Sequence, residues 1–199
     1  LLDSYHKNKP LLATPLLSSI RQLIKESKGN ETHLGFFVIA PDGVSLASMR
    51  DENIGSPNLI NLHRPDLFKR SLSGESLFVP PIPSDVALDQ QKRVNKTNTP
   101  PTMFFITPIK DKEGNTIAVL SERHNPHGDF SKLHQLGQIG KSGETYSLSK
   151  EGKLLSNSRF VDELRVINLL DDSAQSILSI DIREHQNKPA NQQGLNAVQ

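Results

Sequence analysis

The chain of 199 residues contains no cysteine and no tryptophan, and it has only two tyrosines. The absence of cysteine excludes disulfide bonds, thiolate metal sites and cysteine nucleophiles. The shortage of tyrosine and tryptophan leaves little material for an aromatic cage around a quaternary amine, or for a surface on which bases stack. The composition therefore excludes cysteine-based sites and makes aromatic cages and base-stacking surfaces unfavourable.

Charge of one sign does not accumulate anywhere in the chain. There are 23 lysines and arginines against 22 aspartates and glutamates, and no run of basic residues is longer than two. This distribution lacks the basic stripe of a nucleic-acid-binding protein, so nucleic acid is excluded as a partner. The longest apolar runs, such as residues 36–40, are far shorter than the roughly 20 residues that a membrane-spanning helix needs. The composition indicates one large globular domain or two small ones.

The first third of the chain has the pattern of a helix followed by a β-hairpin. Thr14 and Pro15 form a helix start, and four apolar residues then recur at helical spacing up to Ser27. Residues 33–50 contain an apolar run, a Pro-Asp-Gly turn ending at Gly43, and an alternating run, which together predict a hairpin.

The middle of the chain predicts a short helix, a strand, a loop and a second hairpin. The helix starts at Pro65 and ends before Gly74, and a strand follows at 75–81. The polar stretch 81–101 is bracketed by prolines. A loop of that length in a compact domain usually covers another part of the domain. Residues 102–123 form the second hairpin, with its central strand apolar on both faces.

A third hairpin near residues 146–159 repeats the first. When Gly43 is placed over Gly152, the stretch APDGVSLASMR lies over SKEGKLLSNSR. A fixed spacing with the same turn chemistry predicts a tandem module whose second copy is incomplete. The aligned pairs are Phe37 with Tyr146, Ile39 with Leu148, Asp42 with Glu151, Leu46 with Leu155, and Arg50 with Arg159.

The tripeptide Gly140-Lys141-Ser142 is shared with the end of a phosphate-binding loop. Such a loop needs an earlier glycine, whose place here is taken by Gln135, and it must open a helix. Here a β-alternating segment follows instead. We therefore interpret this stretch as a turn that joins two modules.

In their order, these features resemble the tandem Cache sensor module, a PAS-like domain found outside the membrane in bacterial histidine kinases, chemoreceptors and cyclases. The resemblance covers about residues 15–160. Its most specific elements are Arg64-Pro65 at the start of HRPDLFKRSLSGES, Gly74 at the end of the short helix, and Pro108 to Gly114 followed by a final strand.

The resemblance implies an α+β fold with an antiparallel five-stranded sheet and a long N-terminal helix. It divides the chain into a membrane-distal ligand-binding domain at 1–137, with a helical segment at 1–30, and the start of a second, incomplete Cache module at 138–199 with a polar tail. It also implies the periplasmic or extracellular part of an inner-membrane protein, which meets the membrane only through flanking segments.

In such modules a small ligand lies between the sheet and the segment that holds the short helix. The resemblance implies that Arg64 points into this pocket, where its planar guanidinium group suits a carboxylate. Glu122 on the last strand would meet an ammonium group. The other candidate ligand-binding residues are Asp66, Phe78, Met103, Phe105 and Thr107.

The ligand class and two of these assignments stay open at this stage. In the amino-acid-binding branch an aromatic residue follows the Arg-Pro pair, whereas this chain has Asp66 there, so an organic anion, an amino acid or an amine would each be compatible. Arg64 has a structural alternative, which is a salt bridge to Asp66 or Glu75. For the side chains that alternate along the strand around Phe105, the structural alternative is packing in the core.

We expect a sensor without enzymatic activity, catalytic residues, metal or cofactor, and with a homodimer as a possible assembly. The stretch His124 to Asp129 contains two histidines and an aspartate, but it forms a turn and lacks a third strong metal ligand. Two other functions remain as alternatives: a small hydrolase, and a protein-interaction module that uses the 81–101 loop.

Overall fold

The computed structural model describes residues 10–26, 33–84, 100–137, 140 and 142–182. The helices are α1 (Pro15–Glu26), α2 (Leu59–His63), α3 (Pro65–Leu72), α4 (Asp129–Gln135) and α5 (Val161–Val166). The strands are β1 (His33–Ile39), β2 (Ser45–Ser48), β3 (Leu77–Pro83), β4 (Pro101–Lys110) and β5 (Thr116–His124). We call the described part of residues 10–137 the first unit and residues 142–182 the second segment.

The five strands form one antiparallel sheet in the order β2-β1-β5-β4-β3. The predicted α+β class and five-stranded antiparallel sheet are therefore confirmed, and this sheet is compatible with a PAS-like fold. Both predicted hairpins are present, since β1 pairs with β2 and β4 pairs with β5. β3 lies at an edge of the sheet, where its prolines remove no hydrogen bond from a central ladder.

One face of the sheet is covered by α2 and α3. Side chains that alternate along β1, β3, β4 and β5 point to this face and pack against the two helices. Phe104 of β4 is fully buried there, and Phe68 of α3 is 2% exposed. The other residues of this core are Phe37, Ile39, Leu59, Ile60, Leu67, Val79, Ile82, Ile106 and Val119.

The opposite face is covered by α1 at one end and only partly at the other. Leu17 of α1 is buried against Phe36, Ala47 and Ile54, with Leu120 of β5 at the border of this cluster. At the other end of the same face, Phe105 of β4 is 50% exposed. The prediction that β4 is central is confirmed. The prediction that both of its faces are covered holds for only part of the second face, where Met103 is 6% exposed but Phe105 is 50% exposed.

The predicted short helix is present as α3, and Gly74 follows it with a φ of 109°. α1 lies where the apolar spacing places a helix. The longer N-terminal helical segment implied by the resemblance, at 1–30, would include residues 1–9 and 27–30, which lie outside the described residues. The same holds for residues 85–99 of the 81–101 loop, whose ends belong to β3 and β4.

The predicted internal repeat has a counterpart in the backbone. In the first copy, the Ala40 amide donates to the Val44 carbonyl at 2.8 Å; in the second, the Ser149 amide donates to the Lys153 carbonyl at 2.8 Å. Gly43 and Gly152 both have a φ of 86°. The chain then returns in the same way, because the Asn58 amide donates to the Gly43 carbonyl and the Ile182 amide to the Gly152 carbonyl.

The second copy is nevertheless not a full hairpin, which corrects the sequence prediction. Leu148 and Leu154 form an isolated bridge instead of two strands. In the first copy, β1 pairs with β5 on the side away from β2, and this second pairing supports a longer strand. Within residues 142–182 no strand plays that part, so the turn is kept while the strands are not. Whether the second segment is a Cache-type domain stays a prediction.

Candidate functional site

Four of the seven candidate residues lie together on the uncovered half of the sheet. Phe78, Phe105, Thr107 and Glu122 line an open groove of about 430 Å³. They come together because β3, β4 and β5 are neighbours and because Phe78, Phe105 and Glu122 are paired across them, which places their side chains on one face. The volume is within the range of small-molecule sites in proteins.

The groove has an apolar wall and an acidic end. The rings of Phe78 and Phe105 are 5.3 Å apart between centroids. Glu122 is the only charged residue among the described residues that line the groove, and its side chain is 47% exposed. The hydroxyl groups of Ser76 and Thr107 are hydrogen-bonded at 2.7 Å on the other side of Phe105. This combination favours a ligand that has an apolar body and a positive charge.

His124 lies beside the acidic end of the groove. Its Nε2 is 3.3 Å from the Glu122 carboxylate, and its ring stands edge-on to Phe105 with centroids 5.2 Å apart. The side chain is 12% exposed, and it lies on the same face of β5 as Glu122.

Arg64 and Asp66 lie elsewhere and bind each other. Arg64 Nε donates to Asp66 Oδ1 at 2.9 Å, and Arg64 Nη2 donates to Asp66 Oδ2 at 2.7 Å. The pair lines a different cleft, of about 650 Å³, whose opposite wall is the turn around Glu151. The salt bridge that was the structural alternative for Arg64 is therefore present.

Among the described residues, the middle of the space between the sheet and α3 is occupied by core side chains. It is filled by the buried side chains of the first core, with Phe68, Phe104 and Val79 each at most 2% exposed. The cleft beside Arg64 lies at the edge of this space, between the start of α3 and the prolines of β3, so the expected position of the pocket stays a prediction. Met103 is 6% exposed and does not line the groove, although it is on the same strand face as Phe105.

The Arg64–Asp66 pair predicts a small pH-dependent term in stability. Hydrogen bonds from Arg64 lower the pKa of Asp66 from 3.8 to about 2. A lowered folded-state pKa adds stability above the unfolded value, and this is lost as the pH falls through the folded value. Because the Asp66 side chain is 58% exposed, we expect Asp66→Asn to cost no more than about 1 kcal/mol near neutral pH.

Urea unfolding curves from about pH 6 down to pH 2.5 would measure this term. The difference between wild type and Asp66→Asn should shrink as the pH falls below about 4. Glu113→Gln, on the exposed β4–β5 turn, is the matched control. A difference that does not change with pH would mean that Asp66 acts through its shape and not its charge.

Several residues in or beside the groove were not predicted from the sequence. Leu120 could have been found from Glu122, because residues two apart on a strand share a face. Ser76 precedes β3 and gives no pattern of its own. Phe130 of α4 also escaped prediction, and its ring centroid is 5.7 Å from that of Phe78.

The histidines weighed as metal ligands have other contacts. His127 Nε2 is 2.6 Å from Gln175 Oε1, and His124 is beside Glu122. Within the part of the chain that the structure describes, no group of three or more His, Cys, Asp or Glu side chains is placed to hold a metal ion. Among those same residues, no helix is long and apolar enough to cross a bilayer.

Comparison with solved structures gives similarities of which the following is an example. A solved structure described as a sensory box sensor histidine kinase from Vibrio cholerae is similar to this chain, with a TM-score of 0.30 and 14% sequence identity. The match covers 55% of this chain and 94% of that chain. No family model and no curated protein matches the sequence. A similarity this low transfers no function, so the proposal below depends on the groove itself.

Proposed function

We propose that the first unit is a ligand-binding sensor domain, and that its ligand is a small organic amine with an apolar body. The groove carries this proposal, since Glu122 is the only charged group among the described residues that line it. The Phe78 and Phe105 rings offer apolar surface and a π-face to a cation. An organic anion would meet repulsion from Glu122, whereas an ammonium group would pair with it.

The groove and α1 meet at one residue, which provides a route for a signal. Leu120 lines the groove and also packs at the border of the cluster beneath α1. A ligand that binds one arrangement of sheet and helix more tightly shifts the population by its difference in affinity, at about 1.4 kcal/mol for each tenfold. In this proposal the domain is of the Cache type, lies outside the cytoplasm, and passes the shift through α1 to a transmembrane receptor.

The ligand class is tested with two probes that share a phenylethyl group and carry opposite charges. We expect 2-phenylethylamine to bind in isothermal titration calorimetry and to raise the melting temperature, and 3-phenylpropanoate to do neither. Glu122→Gln should weaken amine binding by about tenfold or more, which corresponds to about 1.4 kcal/mol. Glu113→Gln removes the same charge from an exposed turn and should leave the affinity unchanged.

Three outcomes would reject this proposal: equal binding of both probes, binding that survives Glu122→Gln, or no binding of either.

Phe105→Leu keeps the apolar character and removes the ring. It should weaken the amine but leave the fold intact, because this ring is 50% exposed. Binding of a protein and of no small amine would assign the groove to a macromolecular partner.

A hydrolase is the second candidate, because one serine and one histidine are placed as a nucleophile and its base would be. His134 Nε2 is 2.6 Å from Ser147 Oγ, and His134 Nδ1 is 2.8 Å from the Phe130 carbonyl, which orients the ring. A fluorophosphonate probe should then label Ser147 and fail to label Ser147→Ala. Absence of labelling in the wild-type protein would reject this candidate.

A further inference from the structure

Helix α4 lies between the groove and the second segment. On the groove side, the Phe130 ring centroid is 5.7 Å from that of Phe78, which itself is 5.3 Å from Phe105. Phe130 and Phe78 are both partly buried. The wall of the groove is therefore in direct contact with the helix through one pair of rings.

On its other side, α4 and the loop before it hold the second segment through polar contacts. His134 and Ser147 are hydrogen-bonded at 2.6 Å, and the Asn157 amide donates to Ser131 Oγ at 3.3 Å. His127, just before the helix, is 2.6 Å from Gln175. These three contacts reach three separate stretches of the second segment, so a movement of α4 would displace the segment as a body.

Within α4 the two sides are joined. The rings of Phe130 and His134 are one helical turn apart and their centroids are 4.9 Å from each other. His134 Nδ1 also contacts the Phe130 carbonyl at 2.8 Å. Rings in contact at this distance restrict each other's movement, because a displacement of one would bring it against the other.

We propose that α4 couples the groove to the second segment, through contacts that run from Phe105 to Phe78, Phe130, His134 and Ser147. A ligand in the groove would touch Phe78 and Phe105 and bias the position of α4. By reciprocity, the seating of the second segment on α4 sets the affinity of the groove. Phe130 and His134 are thus positioning residues for the groove. The part of this inference that concerns a ligand rests on the proposed function, while the contact chain does not.

Hydrogen exchange tests the coupling without any ligand. The Ser147 amide donates to Ser156 Oγ at 3.0 Å and the Leu155 amide to the Ser147 carbonyl at 2.8 Å, so both report on the second segment. Phe78→Leu in the groove should speed their exchange at least about tenfold. Leu133 of α4 is 65% exposed. Leu133→Ala should change the exchange rate of these two amides less than about twofold.

The fully buried Val119 of β5 provides the control for folding, since its amide should keep its protection in every variant. If Phe78→Leu exposes this amide as well, Phe130→Leu replaces it as the test variant, because it breaks the chain of contacts outside the sheet. Unchanged exchange at Ser147 and Leu155 while Val119 stays protected would overturn the coupling.

Ligand affinity provides the reciprocal measurement. We expect Ser147→Ala to weaken 2-phenylethylamine binding by about threefold to tenfold although Ser147 does not line the groove. An unchanged affinity would overturn the coupling and leave the proposed function standing. If the amine does not bind the wild-type protein, the proposed function fails, and the hydrogen-exchange result alone decides the coupling.

Discussion

Phe104→Ala is expected to lower the free energy of unfolding by about 3–5 kcal/mol, whereas Phe105→Ala should cost only about 1 kcal/mol. The two residues are adjacent in β4 and carry the same side chain, so the difference measures the two faces of the sheet. Phe104 is fully buried and Phe105 is 50% exposed. Truncation of Phe104 leaves a cavity in the core beneath α2 and α3.

Phe104 also has neighbours that depend on its ring. The Phe37 ring is 6.1 Å away between centroids, and the guanidinium group of the buried Arg123 is 5.4 Å from the Phe104 centroid. Removing the ring therefore takes away apolar contacts and one of the two aromatic faces over which this cation lies. These losses place the expected cost of Phe104→Ala within the range for buried aromatic residues.

Guanidinium chloride unfolding followed by far-ultraviolet circular dichroism is the suitable measurement, because the chain has no tryptophan to report on unfolding. Equal costs for the two variants would mean that both faces of β4 are equally covered. The open groove would then not exist, and the proposed ligand would have no site. A large cost at Phe105 alone would reverse the two faces. Either result contradicts the architecture described above.

The parts of the fold that depend on local patterns were predictable from sequence. The turns at Gly43 and Gly114 have φ values of 86° and 89°, as their Asp-Gly and Glu-Gly sequences predict. Alternation along β4 placed Phe105 and Thr107 on one face, and they do line one groove. Local patterns therefore fixed which residues could share a surface.

The location of the site could not be predicted, because it depends on how much of the sheet a helix covers. Nothing local in the sequence shows that α1 reaches only the β2-β1 end, and this leaves the β4 end open. The role of Arg64 was equally undetermined, since the same residue suits a ligand carboxylate or the carboxylate two positions away. In the structure the nearby Asp66 accepts hydrogen bonds from Nε and Nη2 of Arg64.

Gly43→Ala is expected to destabilise the first unit by about 3 kcal/mol, and Gly114→Ala by about 1 kcal/mol. Both glycines have a φ near 90°, so both variants carry the same backbone strain. They differ in their surroundings. A Cβ at position 43 would be 2.3 Å from Asn61 Nδ2, whereas a Cβ at position 114 would meet nothing within 4 Å.

The difference between these two variants measures how tightly the first turn packs on α2, a contact that leads directly to the core under the sheet. Because most of the clash is with the end of the Asn61 side chain, adding Asn61→Ala to Gly43→Ala should recover part of the loss. The remainder should approach the cost of Gly114→Ala, although a Cβ at position 43 would still be 3.2 Å from Asn61 Cβ. Urea unfolding of all four variants, including Asn61→Ala alone, gives this comparison. Equal costs for Gly43→Ala and Gly114→Ala would show that α2 moves to accept the new Cβ at little cost. The packing of the turn would then not fix the position of α2.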